Sequence, residues 1–214
     1  MARVLGVFAA YALILSMALG IGPVLAEEHG AQDKSTGAMS SEEMSADEKA
    51  MMDAWQASMI PGPQHAKLAE LAGTWTVRSI YWIAPDAEPE AGEGTAERTM
   101  IFDGRVLREE FTGEHQGQPY YGIGHTGYDN VTGEYWSTWM DNMMTGLAVL
   151  KGQWDEEKQM MIYEGEVPDP IAGGLTTLRI ESRMEGEDTE IDDFFEPGPD
   201  GEMYRMMELV YERQ

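Results

Sequence analysis

The sequence contains no cysteine, which excludes disulfide bonds, thiolate metal sites, cysteine nucleophiles and a lipid-modified cysteine. Basic residues are also scarce: 14 Lys and Arg stand against 39 Asp and Glu, for a formal net charge of −25. A negative charge of this size opposes binding to nucleic acid and to anionic membrane surfaces. Neither nucleic acid nor, once a leader is removed, the membrane is therefore expected among the partners of this protein.

Residues 1–26 have the pattern of a secretory signal peptide. Arg3 supplies the positive charge, residues 4–21 form the apolar run, and Val24 and Ala26 occupy the −3 and −1 positions of a signal-peptidase site. A retained membrane anchor is the alternative, because the run approaches the length that spans a bilayer. The small residues at the cleavage site favour removal, so the pattern predicts an exported protein, either periplasmic or secreted.

A disordered acidic tether is predicted over residues 27–45, which are rich in Glu, Ser, Gly, Ala and Met and have little to bury. It precedes a folded domain over residues 46–214. Ser45 and Glu48 have the spacing of a capping box, which starts a first short helix. A second short helix follows, so the helices occupy residues 46–72 of the domain.

From Gly73 to the end of the chain, short strands alternate with turn signals and no further helix is predicted. The predicted strands are 74–83, 94–102, 105–115, 118–128, 134–142, 145–154, 159–166, 175–185, 189–196 and 203–213. About ten strands joined by tight turns predict an antiparallel meander, whose edges must be closed or hidden. The expected fold is all-β with short N-terminal helices: an up-and-down barrel of about ten strands, capped by those helices.

The hairpin over residues 120–142 is the candidate binding region. One face of its second strand carries Trp136 and Met140, and the other carries Tyr135, Ser137, Trp139 and Asp141. We expect the second face to line the barrel, because it combines an aromatic ring with polar anchors, as small-molecule sites do. Small residues on the neighbouring strand would leave space for the ligand. The predicted ligand-binding residues are Tyr135, Ser137, Trp139, Asp141, Asn142 and His125.

The histidines, the methionines and the absence of known catalytic motifs predict no metal and no cofactor. His115 and His125 lie on neighbouring predicted strands, but no two histidines have the spacing of metal or haem ligands. Seventeen methionines occur without a dense Met-x-Met tract, so packing in an adaptable interior explains them more simply than copper binding. No phosphate-binding loop, Gly-x-Ser-x-Gly motif or Ser-His-Asp arrangement is present.

Several segments resemble a bacterial family of unknown function, DUF1579, over roughly residues 51–213. The matching stretches are Pro61-Gly62-Pro63-Gln64-His65, residues 68–75 (LAELAGTW), residues 92–97 (GEGTAE), residues 122–124 (GIG) with residues 126–130 (TGYDN), residues 137–142 (STWMDN), residues 166–170 (EVPDP), residues 197–201 (PGPDG) and residues 207–211 (MELVY). The sequence departs from the family pattern at His125, where an apolar residue is expected.

The resemblance implies a lipocalin-like, or calycin-type, barrel. Gly73-Thr74-Trp75 is similar to the Gly-x-Trp motif that opens the first strand in that superfamily. There the Trp packs beneath an Arg from near the C-terminus, a role that Arg213, or as second choice Arg205, would serve. Gly73, Trp75 and Arg213 are therefore expected to be structural.

Three functions remain open on the sequence. The first is binding of a small apolar or amphipathic molecule in the barrel. The second is an enzyme that uses the same cavity with Asp141, Asn142 and His125 as polar groups. The third is a structural or interaction barrel filled by its own side chains, and the oligomeric state also stays open.

Overall fold

Ten antiparallel strands form a closed barrel in the computed structural model, which describes residues 44–170 and 173–214. The predicted signal peptide, residues 1–26, and residues 27–43 of the predicted tether lie outside the described residues. Residues Ser45–Gln214 form one compact unit.

Two helices precede the strands: α1 (Ala46–Met59) and α2 (Pro63–Glu70). The strands are β1 (Gly73–Tyr81), β2 (Glu90–Ile101), β3 (Val106–His115), β4 (Gln118–Asp129), β5 (Glu134–Asp141), β6 (Ala148–Asp155), β7 (Met160–Asp169), β8 (Gly174–Met184), β9 (Thr189–Pro197) and β10 (Met203–Arg213).

Each strand pairs with its neighbour along the chain, and β1 pairs with β10 to close the sheet. The closing register runs from Trp75 opposite Arg213 to Tyr81 opposite Met207. Closure removes both sheet edges, which is how such a meander avoids presenting unpaired backbone groups. The predicted ten-stranded up-and-down barrel is confirmed. Below, the helix end is the barrel end at Gly73 and Arg213, and the far end is the opposite one, at Tyr81 and Asp141.

Helix α1 begins at the predicted capping box. Ser45 Oγ accepts a hydrogen bond from the Glu48 N–H at 3.3 Å, and the Glu48 carboxylate accepts one from the Ser45 N–H at 2.9 Å. No residue of α1 is fully buried. The chain after it is held to the barrel by Asn130, whose Nδ2 donates to the Ile60 carbonyl at 2.8 Å. None of the helices among the described residues has the length and apolar character needed to cross a bilayer.

Helix α2, rather than α1, covers the helix end of the barrel. His65 Nδ1 accepts a hydrogen bond from the Gly62 N–H at 3.0 Å, so this side chain caps the start of the helix. Leu68 is 3% exposed and belongs to the larger core cluster, whose other buried members are Leu107, Tyr135, Leu150, Met161 and Tyr163. The helix thus contributes directly to the core at this end.

Trp75 is fully buried in a second cluster, formed with Val77, Ala96 and Tyr211. The guanidinium carbon of Arg213 lies 4.1 Å from the centroid of the Trp75 ring. Arg213 Nη1 donates to the Ala72 carbonyl at 2.7 Å, which ties β10 to the end of α2. Arg205, the second choice for this role, lies over a different tryptophan, Trp82.

Gly73 is required beside this stack. Its φ is +137°, a region that side-chain-bearing residues rarely adopt, and a Cβ there would lie 2.9 Å from Arg213 Nη1. The Gly-x-Trp motif therefore has a physical basis here: glycine makes room for the arginine that covers the tryptophan.

Candidate functional site

The inner face of β5 carries Tyr135, Ser137, Trp139 and Asp141. Tyr135 is a buried core residue, whereas Met140 is 45% exposed. Because side chains alternate along a strand, Trp139 and Asp141 share the inward direction of Tyr135. This is the face that the sequence favours over the alternative with Trp136 and Met140, which points outward.

Trp139 lies flat against the barrel wall, over two glycines of β4. A Cβ at Gly124 would come within 3.0 Å of Trp139 Cε3, and a Cβ at Gly122 would overlap the indole ring. The expectation that small residues on β4 leave space for a ligand is therefore wrong in this form, because the indole already fills that space. The wall itself presents an aromatic surface to the interior.

Trp139, Tyr120 and Asp141 form a group that we call the tryptophan cluster. Trp139 Nε1 and Tyr120 Oη each donate to Asp141 Oδ2 at 3.1 Å. The other carboxylate oxygen of Asp141 accepts the backbone N–H groups of Met143 and Met144, at 2.8 and 2.9 Å. Burial raises the pKa of Tyr120, and the Asp141 carboxylate raises it further, so the phenol stays protonated and donating. Asp141 therefore fixes the position of Trp139 and of the turn after β5.

Two of the predicted ligand-binding residues lie elsewhere. Asn142 Oδ1 accepts the Tyr121 N–H at 2.9 Å and Asn142 Nδ2 donates to the Pro119 carbonyl at 3.0 Å, so this exposed side chain braces the start of β4. His125 pairs with Thr138 and alternates with Gly124, so it lies on the outer face of β4. Neither residue joins Trp139 in the interior.

A group of buried charges inside the barrel is absent from the sequence-based prediction. Arg98, on β2, donates from Nε to Glu109 Oε2 at 2.5 Å and from Nη1 to Glu190 Oε2. The side chains of Arg98 and Glu190 are each 5% exposed. Asp192 lies two residues beyond Glu190 on the same inner face of β9, and we call these four residues the charged cluster.

Aromatic rings surround the guanidinium of Arg98. Its central carbon lies 4.2 Å from the centroid of the Tyr211 ring and 5.4 Å from that of Trp75, within the range of cation–π attraction. Burial opposes the charge of Arg98, but the Glu190 and Glu109 carboxylates outweigh that effect and hold its pKa well above the ordinary value. Arg98 is therefore a permanent cation, already paired with two carboxylates.

Asp192 is less fully engaged than Glu109 and Glu190. Its Oδ1 atom is buried and has no hydrogen-bond partner among the described residues. Burial raises the pKa of Asp192 well above its ordinary value and the nearby Glu190 carboxylate adds to the shift, whereas Arg98 and a hydrogen bond with Ser182 oppose it. The charged cluster thus combines three carboxyl groups with one guanidinium, and one carboxyl keeps its proton to higher pH than an exposed aspartate does.

The charged cluster and the tryptophan cluster adjoin along the barrel wall. Glu109 pairs with Gly124, the glycine that Trp139 covers. Glu109 also contributes to the raised pKa of Tyr120, which places the two groups within electrostatic reach. A molecule lying against Trp139 would therefore be close to the charged cluster.

Much of the apolar inner surface beyond the packed helix end is only half-buried. Four apolar residues that pack against the two core clusters keep part of their surface accessible: Phe111, Leu178, Ile180 and Leu209. Phe194, which pairs with Ile180, is half-buried as well. Asp192, between Ser182 and Leu209 in the sheet, is half-buried as well. It lies on the inner face among these half-buried side chains.

Two crevices lie outside this interior. One, of about 230 Å³, is lined by residues of the α1–α2 connection and of β3–β5, among them Arg105, Asn130 and Trp136. The other, of about 690 Å³, is bordered by Glu134 and Lys151, which form an ion pair at 2.9 Å. Neither contains a residue of the two clusters. Across residues 44–170 and 173–214, no three His, Asp or Glu side chains are arranged to hold a metal ion.

The stability of the Asp192→Asn variant, compared with that of the wild-type protein, should increase as the pH rises. A carboxyl whose folded-state pKa is raised contributes stability below its unfolded-state value, and loses it as the pH rises towards the folded-state pKa. Asparagine has no such dependence. The midpoint of thermal unfolding of Asp192→Asn, relative to wild type, should therefore shift upward by a few degrees between pH 4 and pH 8.

Glu166→Gln, an exposed change on the outer face, serves as the matched control and should show no such trend. A difference between Asp192→Asn and wild type that stays constant over this pH range would contradict the raised pKa.

The strand order defines a closed up-and-down barrel. A lipocalin-like description is compatible with this barrel and with its Gly73–Trp75–Arg213 stack. Residues 60–213 match the family described as protein of unknown function (DUF1579), and the chain belongs to that family. A search of curated proteins gives no match. Among solved structures the chain is similar to a redesigned β-barrel, with 15% identity and a TM-score of 0.34, over 69% of this chain and 94% of that one. At that level of similarity the fold rests on the strand pairing itself.

Proposed function

We propose that this protein is exported and binds a small amphipathic molecule inside the barrel, against Trp139. The observation that carries the proposal is the half-buried apolar inner surface between the tryptophan cluster and the charged cluster. Apolar walls with a few fixed polar groups are typical of small-molecule sites. A ligand that covers such a surface gains about 25 cal/mol for each Å² of apolar area removed from water, before the costs of association.

The orientation of Trp139 supports the same proposal. Its indole N–H is held by Asp141 and one face of the ring rests on the glycines of β4, so the opposite face is left towards the interior. A ring fixed in this way loses little conformational freedom when a ligand stacks on it. Asp141 therefore acts on the ligand through the position of Trp139 rather than by direct contact.

Titration with the neutral fluorescent probe N-phenyl-1-naphthylamine tests the proposal. We expect saturable binding accompanied by a change in tryptophan fluorescence. Trp139→Ala should weaken binding roughly tenfold, or about 1.4 kcal/mol, because it removes the aromatic wall. The matched control is Trp136→Ala, which removes the same side chain from the outer face of the same strand.

Two outcomes would reject the proposal. The first is absence of saturable binding, which would leave a barrel filled by its own side chains. The second is an equal loss of affinity in Trp136→Ala and Trp139→Ala, which would place the probe outside the barrel.

An enzyme is the second candidate, and one observation favours it. A buried carboxyl with a raised pKa, such as that of Asp192, is suited to general acid–base work. The groups first considered for this role do not converge, since His125 and Asn142 lie outside the interior. Turnover of a bound molecule that is lost in Asp192→Asn, with binding retained, would favour the enzyme over a carrier.

A further inference from the structure

The charged cluster has an excess of negative groups on the inner wall. Arg98 is already engaged by Glu109 and Glu190. Asp192 contributes a third carboxyl group beside them, and its Oδ1 atom is buried without a partner among the described residues. Buried polar atoms without partners are costly, and native structures retain few of them.

Access to this carboxyl group follows from its place in the barrel. Asp192 pairs with Ser182 on β8 and Leu209 on β10, and all three residues are half-buried. The last torsion of an aspartate side chain is broad and two-fold, so a small rotation exchanges its two oxygens. Either oxygen is therefore able to face a molecule in the accessible part of the interior.

The charges decide which polar group suits this position. An anionic group would lie beside Glu190 and Glu109, whose only cation within the cluster is already paired with both. A protonated amine would instead supply hydrogen-bond donors, and a second positive charge to a cluster in which three carboxyl groups share one guanidinium.

We propose that the ligand of this barrel carries a protonated amine, which binds the Asp192 carboxylate while the apolar part of the ligand lies against Trp139. The proposal rests on the proposed function, because it names the polar end of the molecule bound there. It predicts a preference for cationic over neutral amphiphiles, and for neutral over anionic ones.

Binding of the amine is coupled to loss of a proton. In the free protein the raised pKa keeps Asp192 protonated to higher pH than usual. When an alkylammonium ion binds, the Asp192 O–H bond breaks, the proton passes to solvent, and the carboxylate pairs with the ammonium N–H groups. Affinity should therefore rise with pH until Asp192 is ionised in the free protein. The other groups that face Asp192 are Arg98 on β2, Glu109 on β3, Tyr163 on β7, Ser182 on β8, Glu190 on β9 and Tyr211 on β10.

Three ligands with the same chain test the preference: dodecylammonium, dodecanol and dodecanoate. They are titrated into the purified protein below their micelle concentrations, followed by tryptophan fluorescence, at about 0.15 M salt to screen the acidic surface. We expect dodecylammonium to bind roughly tenfold more tightly than dodecanol, and dodecanoate to bind most weakly. Calorimetry in two buffers of different ionisation enthalpy should detect proton release with dodecylammonium and none with dodecanol.

Asp192→Asn removes the carboxylate with little change in shape. The affinity of this variant for dodecylammonium should fall to its affinity for dodecanol. Its affinity for dodecanol should equal that of the wild-type protein. Glu166→Gln, which removes one charge from the outer face, is the matched control and should keep the full preference.

The outcomes distinguish failure of the proposed function from failure of the amine proposal. If dodecanol does not bind the wild-type protein, the proposed function fails. If dodecanol binds but dodecylammonium has no advantage, the amine proposal alone fails. Equal loss in Glu166→Gln and Asp192→Asn would mean adsorption to the acidic surface and would also overturn it. If Asp192→Asn does not fold, the ligand ranking in wild type still decides the matter.

Discussion

Replacing Trp75 by alanine is expected to lower the free energy of unfolding by about 3–5 kcal/mol, the range of large-to-small changes in a core. Trp75 has no exposed surface and packs with Val77, Ala96 and Tyr211. The change also removes the ring beneath Arg213 and the hydrogen bond from Trp75 Nε1 to the Leu71 carbonyl, at 3.0 Å. Equilibrium unfolding in urea measures the loss.

Trp75→Phe separates the parts of this effect. It keeps an aromatic ring under Arg213 but loses the indole N–H and some volume, so it should cost less than the alanine variant. A Trp75→Ala protein within about 1 kcal/mol of wild type would contradict the role of the stack in closing the barrel, because surface changes have effects of that size.

Replacing Arg98 by methionine should cost about 3–5 kcal/mol at neutral pH, because it leaves buried carboxylates without their counter-charge. Glu109 and Glu190 both pair with Arg98, and Glu190 has almost no exposed surface. Methionine fills a similar volume, so the loss would report the missing charge more than a cavity. Urea unfolding at several pH values checks both the size and the sign of the effect.

The pH dependence is the sharper part of this prediction. Without the guanidinium, burial disfavours the charged form of a carboxyl group with nothing to offset it. The deficit of the variant should therefore be larger at pH 8, where carboxyl groups are charged, than at pH 4. Adding Glu190→Gln to Arg98→Met should recover part of the loss, whereas Glu190→Gln alone should not stabilise the protein. A deficit that shrinks as the pH rises would be inconsistent with the buried ion pairs.

The strand order was predictable because every pairing except β1 with β10 joins neighbours along the chain. Turn residues mark such local hairpins in sequence. The start of β2 was not: the strand was predicted from residue 94, yet it begins at Glu90 and includes Gly92, which looks like a turn residue. A Cβ at Gly94 would overlap the ring of Phe111, so glycine is used there to seat an aromatic ring against the wall. Sequence alone does not distinguish these two uses of glycine.

The two clusters differ in how many of their residues could be predicted from the sequence. Trp139 and Asp141 were found because one hairpin contains both, and strand alternation sets their common face. Asn142 lies one residue beyond β5, where alternation no longer sets the direction of a side chain. The charged cluster joins β2, β3 and β9, so its members become neighbours only once the register is known. Among 39 acidic residues, Glu190 and Asp192 carry no local signal of burial.

Closure of β1 against β10 also bears on how the chain reaches its native state. Arg213 and Ala72, which meet at this seam, are 141 residues apart in sequence. Contacts of such separation form late, because the entropy of closing the loop is lost before the contacts repay it. Until the last strand docks, the edges of β1 and β10 are open to pairing with other chains. The step most exposed to aggregation is therefore the final closure of the barrel, and the Gly73–Trp75–Arg213 stack completes it.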